Sequence, residues 1–109
     1  MSSEPVVVVA RCVPREGHAE QVEAAVLRAV AATHEQDAGC ELYAAHQSVR
    51  GRPGIVIIEK WSSAELLQAH GTGDAFAALN GEVAELLAEP LDVMVLQPLP
   101  AGTDELGTL

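Results

Sequence analysis

Apolar and polar positions alternate between two periods along this chain, and the changes of period mark its elements. Pro5–Val13 (PVVVVARCV) is dense in β-branched residues and predicts a first strand. Pro14 and Gly17 then punctuate a turn. From His18 to Gln36 the period becomes helical. Val22, Ala25, Val26, Ala29, Val30 and Thr33 fall at i, i+3, i+4, i+7, i+8 and i+11 and make one apolar stripe, with Glu20, Glu23 and Arg28 off it. Gly39 is a stop signal. Cys40–Ser48 predicts a second strand, joined through the turn residues Arg50–Gly54 to a third strand, Gly54–Trp61, as a hairpin.

Ser62-Ser-Ala-Glu65 has the form of a capping box and starts a helix that runs to about Ala69. Gly71–Asp74 (GTGD) interrupts it. Asp74 caps a further segment carrying Phe76, Leu79, Val83, Leu86 and Leu87, which Pro90 ends. Leu91–Leu99 predicts a fourth strand, and the last nine residues read as a loosely ordered tail or an arm onto a partner. The order β-α-β-β-α-β predicts an α+β, ferredoxin-like fold with an antiparallel sheet, formed by one domain over residues 1–109 with its core at about 5–99.

The strands are apolar on both faces. Val6, Val8, Ala10 and Cys12 oppose Val7, Val9, Arg11 and Val13. Ile55, Ile57, Glu59 and Trp61 oppose Val56, Ile58 and Lys60. An antiparallel sheet with one wet face should alternate more cleanly. Two helices cover one face only, so the other predicts a homodimer joined sheet to sheet.

Composition narrows the partners. The chain has 109 residues, 49% of them hydrophobic but only 3% aromatic, so its core is aliphatic. A net charge of −10 disfavours nucleic acid and anionic membranes. Cys12 and Cys40 show no metal-type spacing and are expected as free thiols. With no signal-peptide pattern and no run long enough to span a bilayer, the expected location is cytoplasmic. No GxGxxG, Walker or GxSxG motif is present, which argues against a nucleotide-binding loop or a nucleophile elbow.

Several residues carry candidate chemistry. His70 sits at a helix end beside the GTGD segment; it suits a base acting on a phenol, or a C-terminal cap. Glu59 follows an apolar run and is either a desolvated proton carrier or a structural carboxylate that holds the helix start or pairs with Arg11 or Arg52. Trp61 shares its strand face and serves as an aromatic wall or as core. Tyr43 and His46 point to opposite faces of strand two, so only one can face a cleft. Phe76 reads as core and Asn80 as a ligand contact or a surface residue. The four histidines lack ligand spacing, and no metal site is expected.

Taken together, Pro14-Arg-Glu-Gly17, Asp37-Ala-Gly-Cys40, Tyr43, Glu59-Lys-Trp61, His70, Phe76 and Glu89-Pro90 resemble the antibiotic biosynthesis monooxygenase domain of the dimeric α/β-barrel superfamily. The resemblance spans roughly Val6 to Pro98. It implies a dimer of ferredoxin-like folds with a cleft between sheet and helices, and oxidation of a small phenolic, quinol or anthrone-type aromatic by O2 without metal, haem or flavin. On it, His70 and Glu59 are the catalytic candidates, and Trp61, Tyr43, Phe76 and Asn80 the substrate-binding ones. Haem-degrading relatives carry asparagine, tryptophan and histidine where this chain has Ala10, His70 and Asn80, which argues against that branch. Relatives on this fold also include isomerases and proteins of no known activity, so a cofactor-free isomerase and a non-catalytic small-ligand-binding dimer stand as alternatives.

Overall fold

The computed structural model describes residues 4–109. Its elements are β1 (Val6–Cys12), α1 (Ala19–Gln36), β2 (Cys40–Gln47), β3 (Ile55–Trp61), α2 (Ala64–Gly71), α3 (Asp74–Val83), β4 (Asp92–Leu96) and α4 (Asp104–Gly107). Among the described residues the strands form one antiparallel sheet in the order β2-β3-β1-β4. This is the ferredoxin-like arrangement, with α1, α2 and α3 on one face.

Register decides which side chains face those helices. Val8 lies opposite Glu59 on β3 and Val95 on β4, and Glu59 lies opposite Tyr43 on β2. Because side chains alternate along a strand, Val8, Ala10 and Cys12 join Tyr43, Ile55, Ile57, Glu59 and Trp61 on the helix side. There they meet Val22, Ala25, Val26 and Ala29 of α1 and Leu79 and Val83 of α3 to form the core. The predicted α1 stripe is the buried one, apart from half-buried Val30.

The opposite face carries Val9, Ile58, Ala44 and Met94 in one cross-strand row, with Val7 and Leu96 beside them. No long helix lies over it. Edge strand β4 is exposed throughout, and Met94 and Val95 keep 53% and 56% of their surface in water. A side chain–backbone bond from Lys60 Nζ to the Leu109 carbonyl (2.6 Å) ties the chain end to this side of the sheet.

Four local expectations are corrected. Gly73, not Asp74, stands at the N-cap of α3; Asp74 is the first residue of the helix, and among the described residues no side chain caps it. Ser63, not Ser62, caps α2: its hydroxyl accepts from the Leu66 N–H at 3.2 Å, while the Ser62 N–H is held by the Gly39 carbonyl at 2.9 Å. The α3 helix stops at Val83 rather than continuing to Leu87, since Leu87 bridges back to Pro14. The tail contains one helical turn, α4, where the Thr103 hydroxyl accepts from the Leu106 N–H.

Candidate active site

Every tryptophan, tyrosine and phenylalanine in the chain gathers around one histidine. The His70 ring lies 4.6 Å from Trp61, 5.3 Å from Tyr43 and 5.5 Å from Phe76, centroid to centroid. These residues come from β3, β2, α2 and α3. In a chain with 3% aromatic residues, random core packing would scatter them.

The imidazole itself is held by a carboxylate. His70 Nδ1 is 2.6 Å from Asp37 Oδ2, and both side chains are largely buried. Asp37 is the C-cap of α1 and its own N–H binds the Thr33 carbonyl at 3.1 Å. Two residues on, Gly39 takes φ +84°, a conformation that favours glycine. It also sits against Leu66 of α2: a Cβ there would lie 2.7 Å from Leu66 Cβ. The turn after α1 is thereby seated against α2, and the sequence separation of 33 between Asp37 and His70 is spanned by a short contact to a carboxylate.

A second polar pair lies beside the first. Trp61 Nε1 donates to Glu59 Oε1 at 2.8 Å, two residues apart on the same face of β3. Glu59 is 4% exposed. Burial lifts its carboxyl above the ordinary carboxylate range, while the indole bond and nearby His70 pull in the opposite direction. Burial also raises the Tyr43 phenol, and Glu59 adds to the effect, so Tyr43 stays neutral and can donate. The thiols of Cys12 and Cys40 are free and are raised chiefly by burial, which leaves them weak nucleophiles.

These groups border a cavity between the sheet and α2–α3 that holds about 100 Å³ of water-sized space. Val8, Ala10, Ile57, Leu67, Leu79 and Val93 supply apolar walls; Tyr43, Glu59, His70 and Phe76 complete it. Larger hollows lie elsewhere. One of about 180 Å³ runs between α1 and β2 beside Glu23 and His46, and gathers no comparable ring cluster.

Of the residues singled out from sequence, His70, Glu59, Tyr43 and Phe76 therefore share one cavity. Tyr43, not His46, is the member of β2 that faces it. Trp61 is fully buried and lies tilted at 33° to the imidazole, 4.6 Å away, and it does not line the cavity. Asn80 is not part of the cluster: Ala75, Leu79 and Val83 turn inward on α3, which leaves Asn80 in a separate groove with Arg15 and Pro90. Glu59 pairs with neither arginine; Arg11 reaches the Arg52 and Pro53 carbonyls. Asp37 is the site residue that sequence reasoning missed. Among the described residues no three His, Cys, Asp or Glu side chains converge as a metal site requires.

The sequence profile described as antibiotic biosynthesis monooxygenase matches residues 5–82. The chain belongs to that family. Rv0793 from Mycobacterium tuberculosis is 29% identical, with 92% of this chain and 100% of that one covered and a TM-score of 0.82. PA3566 from Pseudomonas aeruginosa is 26% identical over 91% and 98%, with a TM-score of 0.78. SO0527 from Shewanella oneidensis is 25% identical over 86% and 90%, with a TM-score of 0.75. A comparison with curated proteins finds no match. Among the described residues, this family member has no helix long and apolar enough to cross a membrane.

Proposed function

We propose that this chain is a cofactor-independent monooxygenase acting on a small phenol or hydroquinol with O2. The observation that carries the reading is the Asp37-backed His70 at the wall of an apolar cavity, with a neutral Tyr43 and a buried Glu59 beside it. At about 100 Å³ the cavity is smaller than an engineered cavity of about 150 Å³ that accepts benzene, so a single ring is the largest substrate core it suits, and binding one requires outward movement of the walls.

The chemistry follows from the substrate. O2 reacts slowly with closed-shell molecules because of its spin, but an electron-rich phenolate can pass it one electron and then recombine. His70 accepts the hydroxyl proton and so produces that phenolate. The cavity keeps water from competing with the reactive pair. The atoms balance without an added reductant: a hydroquinol plus O2 gives a hydroxyquinone plus water. One oxygen atom enters the ring, and the other leaves with two hydrogens.

In the same reading the open sheet face, with Val9, Ile58 and Met94 across three strands, packs against a second copy of the chain. Its apolar character supports this, since so broad a patch is seldom left in water.

The test is oxygen uptake by metal-stripped protein with single-ring hydroquinols, compared with autoxidation. His70→Ala is expected to reduce the enzymatic rate at least tenfold, as removal of a general base typically costs 10² or more. Equal rates in the two proteins contradict the role of His70. Thermal stabilisation by the hydroquinol without uptake marks a binder, and turnover without oxygen an isomerase.

A further inference from the structure

Asp37 occupies an unfavourable place unless it serves something other than its own helix. A carboxylate at the C-terminus of an 18-residue helix faces the negative end of the helix dipole. A residue that violates a local rule in this way calls for a compensating contact. The compensation here is a single short bond to the one imidazole that lines the aromatic cavity.

That bond has a consequence for the imidazole. A carboxylate without its proton only accepts, so the ring nitrogen facing it must carry hydrogen. Nδ1 faces Asp37 at 2.6 Å. Nε2 has no hydrogen-bond partner among the described residues. We infer that Asp37 is a positioning residue that fixes neutral His70 in the Nδ1–H tautomer and leaves Nε2 bare as the proton acceptor of the cavity. The acceptor role rests on the proposed function; the tautomer does not. When Nε2 takes a hydroxyl proton, the imidazolium that forms already has its counter-charge in contact, and no rearrangement is needed. Ring orientation is held as well by Trp61, whose indole packs on the imidazole at 4.6 Å with a tilt of 33°, and by the Gly39–Leu66 contact that seats the Asp37 turn on α2.

The inference is tested by long-range ¹H–¹⁵N correlation spectra of ¹⁵N-histidine-labelled protein at pH 8, with His70 assigned by its loss in His70→Ala. The wild type should show the proton on Nδ1. In Asp37→Asn the amide can donate to Nδ1, and the proton should move to Nε2. With methylhydroquinone as the probe, Asp37→Asn should lose at least tenfold in kcat with little change in KM, and Asp37→Glu should recover part of it. A wild-type Nε2–H tautomer, or a His70 still doubly protonated at pH 8, overturns the inference whatever the activity. An unchanged tautomer in a folded Asp37→Asn protein does so too. Absent uptake by the wild type counts against the oxygenase reading alone, because the tautomer is read without substrate.

Discussion

Gly39→Ala is the most informative single change for the architecture of the site. Two costs add at this position. Gly39 has φ +84°, and an L-residue in the left-handed region loses about 1–2 kcal/mol. The new Cβ would also lie 2.5 Å from Leu66 Cδ1 and 2.7 Å from Leu66 Cβ. The Cδ1 clash could be relieved by a rotamer change, but Cβ is fixed to the α2 backbone, so the turn or the helix must move. Overpacking of this kind costs about 1–3 kcal/mol. The sum is about 2–5 kcal/mol. At roughly 4–8 °C per kcal/mol for a domain near this size, the melting temperature should fall by about 10 °C or more. Gly17→Ala is the control: φ is +86°, yet nothing lies within 4 Å of its Cβ, so it should show the backbone cost alone. Urea unfolding at 25 °C on both variants separates the two contributions. If Gly39→Ala is no more destabilised than Gly17→Ala, the α1–β2 turn is not seated on α2 as described, and the account of how Asp37 reaches His70 fails.

Further outcomes follow from the same geometry. Glu59→Gln keeps an acceptor for the Trp61 indole and removes the buried ionisation. Because burial raises the folded-state value, the proton on Glu59 favours folding fully below its ordinary value, and that contribution is lost as pH rises through the raised value. The variant should therefore gain on the wild type as pH rises from the ordinary carboxylate value through the raised one in urea titrations, and a pH-independent difference contradicts the shift. Ile58→Lys places a charge on the open sheet face and should convert a wild-type dimer into a folded monomer in light scattering; a wild type that is already monomeric at micromolar concentration refutes the sheet-face dimer. His70→Ala and Asp37→Asn carry the activity and tautomer outcomes given above.

Much of the fold could be read along the chain because its elements are set by local periodicity. The α1 stripe from Val22 to Thr33 and the double-sided apolar strands place themselves, and strand alternation put Glu59 and Trp61 on one shared face, while on β2 it opposed Tyr43 to His46 without deciding which of them meets the cleft. The capping box was read one residue early, at Ser62 instead of Ser63, because the Ser62 N–H is held by a long-range bond to the Gly39 carbonyl that no local pattern contains. The site shows the same division. Glu59 and Trp61 are two residues apart on one strand, so their shared face was legible although their mutual bond was not predicted. Asp37 and His70 lie on different elements, brought together by the packing of the α1–β2 turn against α2. Nothing in the spacing of the two residues encodes that meeting. Asn80 went the other way because α3 turns Leu79 inward, and a four-residue step from Phe76 does not settle which flank of the helix meets the cavity.

The central claim is that one atom of O2 enters the substrate without a protein-bound cofactor. It is tested most directly by running methylhydroquinone turnover under ¹⁸O2 with chelator-treated protein and weighing the product. The account predicts a hydroxyquinone carrying one ¹⁸O, formed faster than in the protein-free control, with the excess lost in His70→Ala. A quinone without ¹⁸O, or product formation equal to the control, contradicts it.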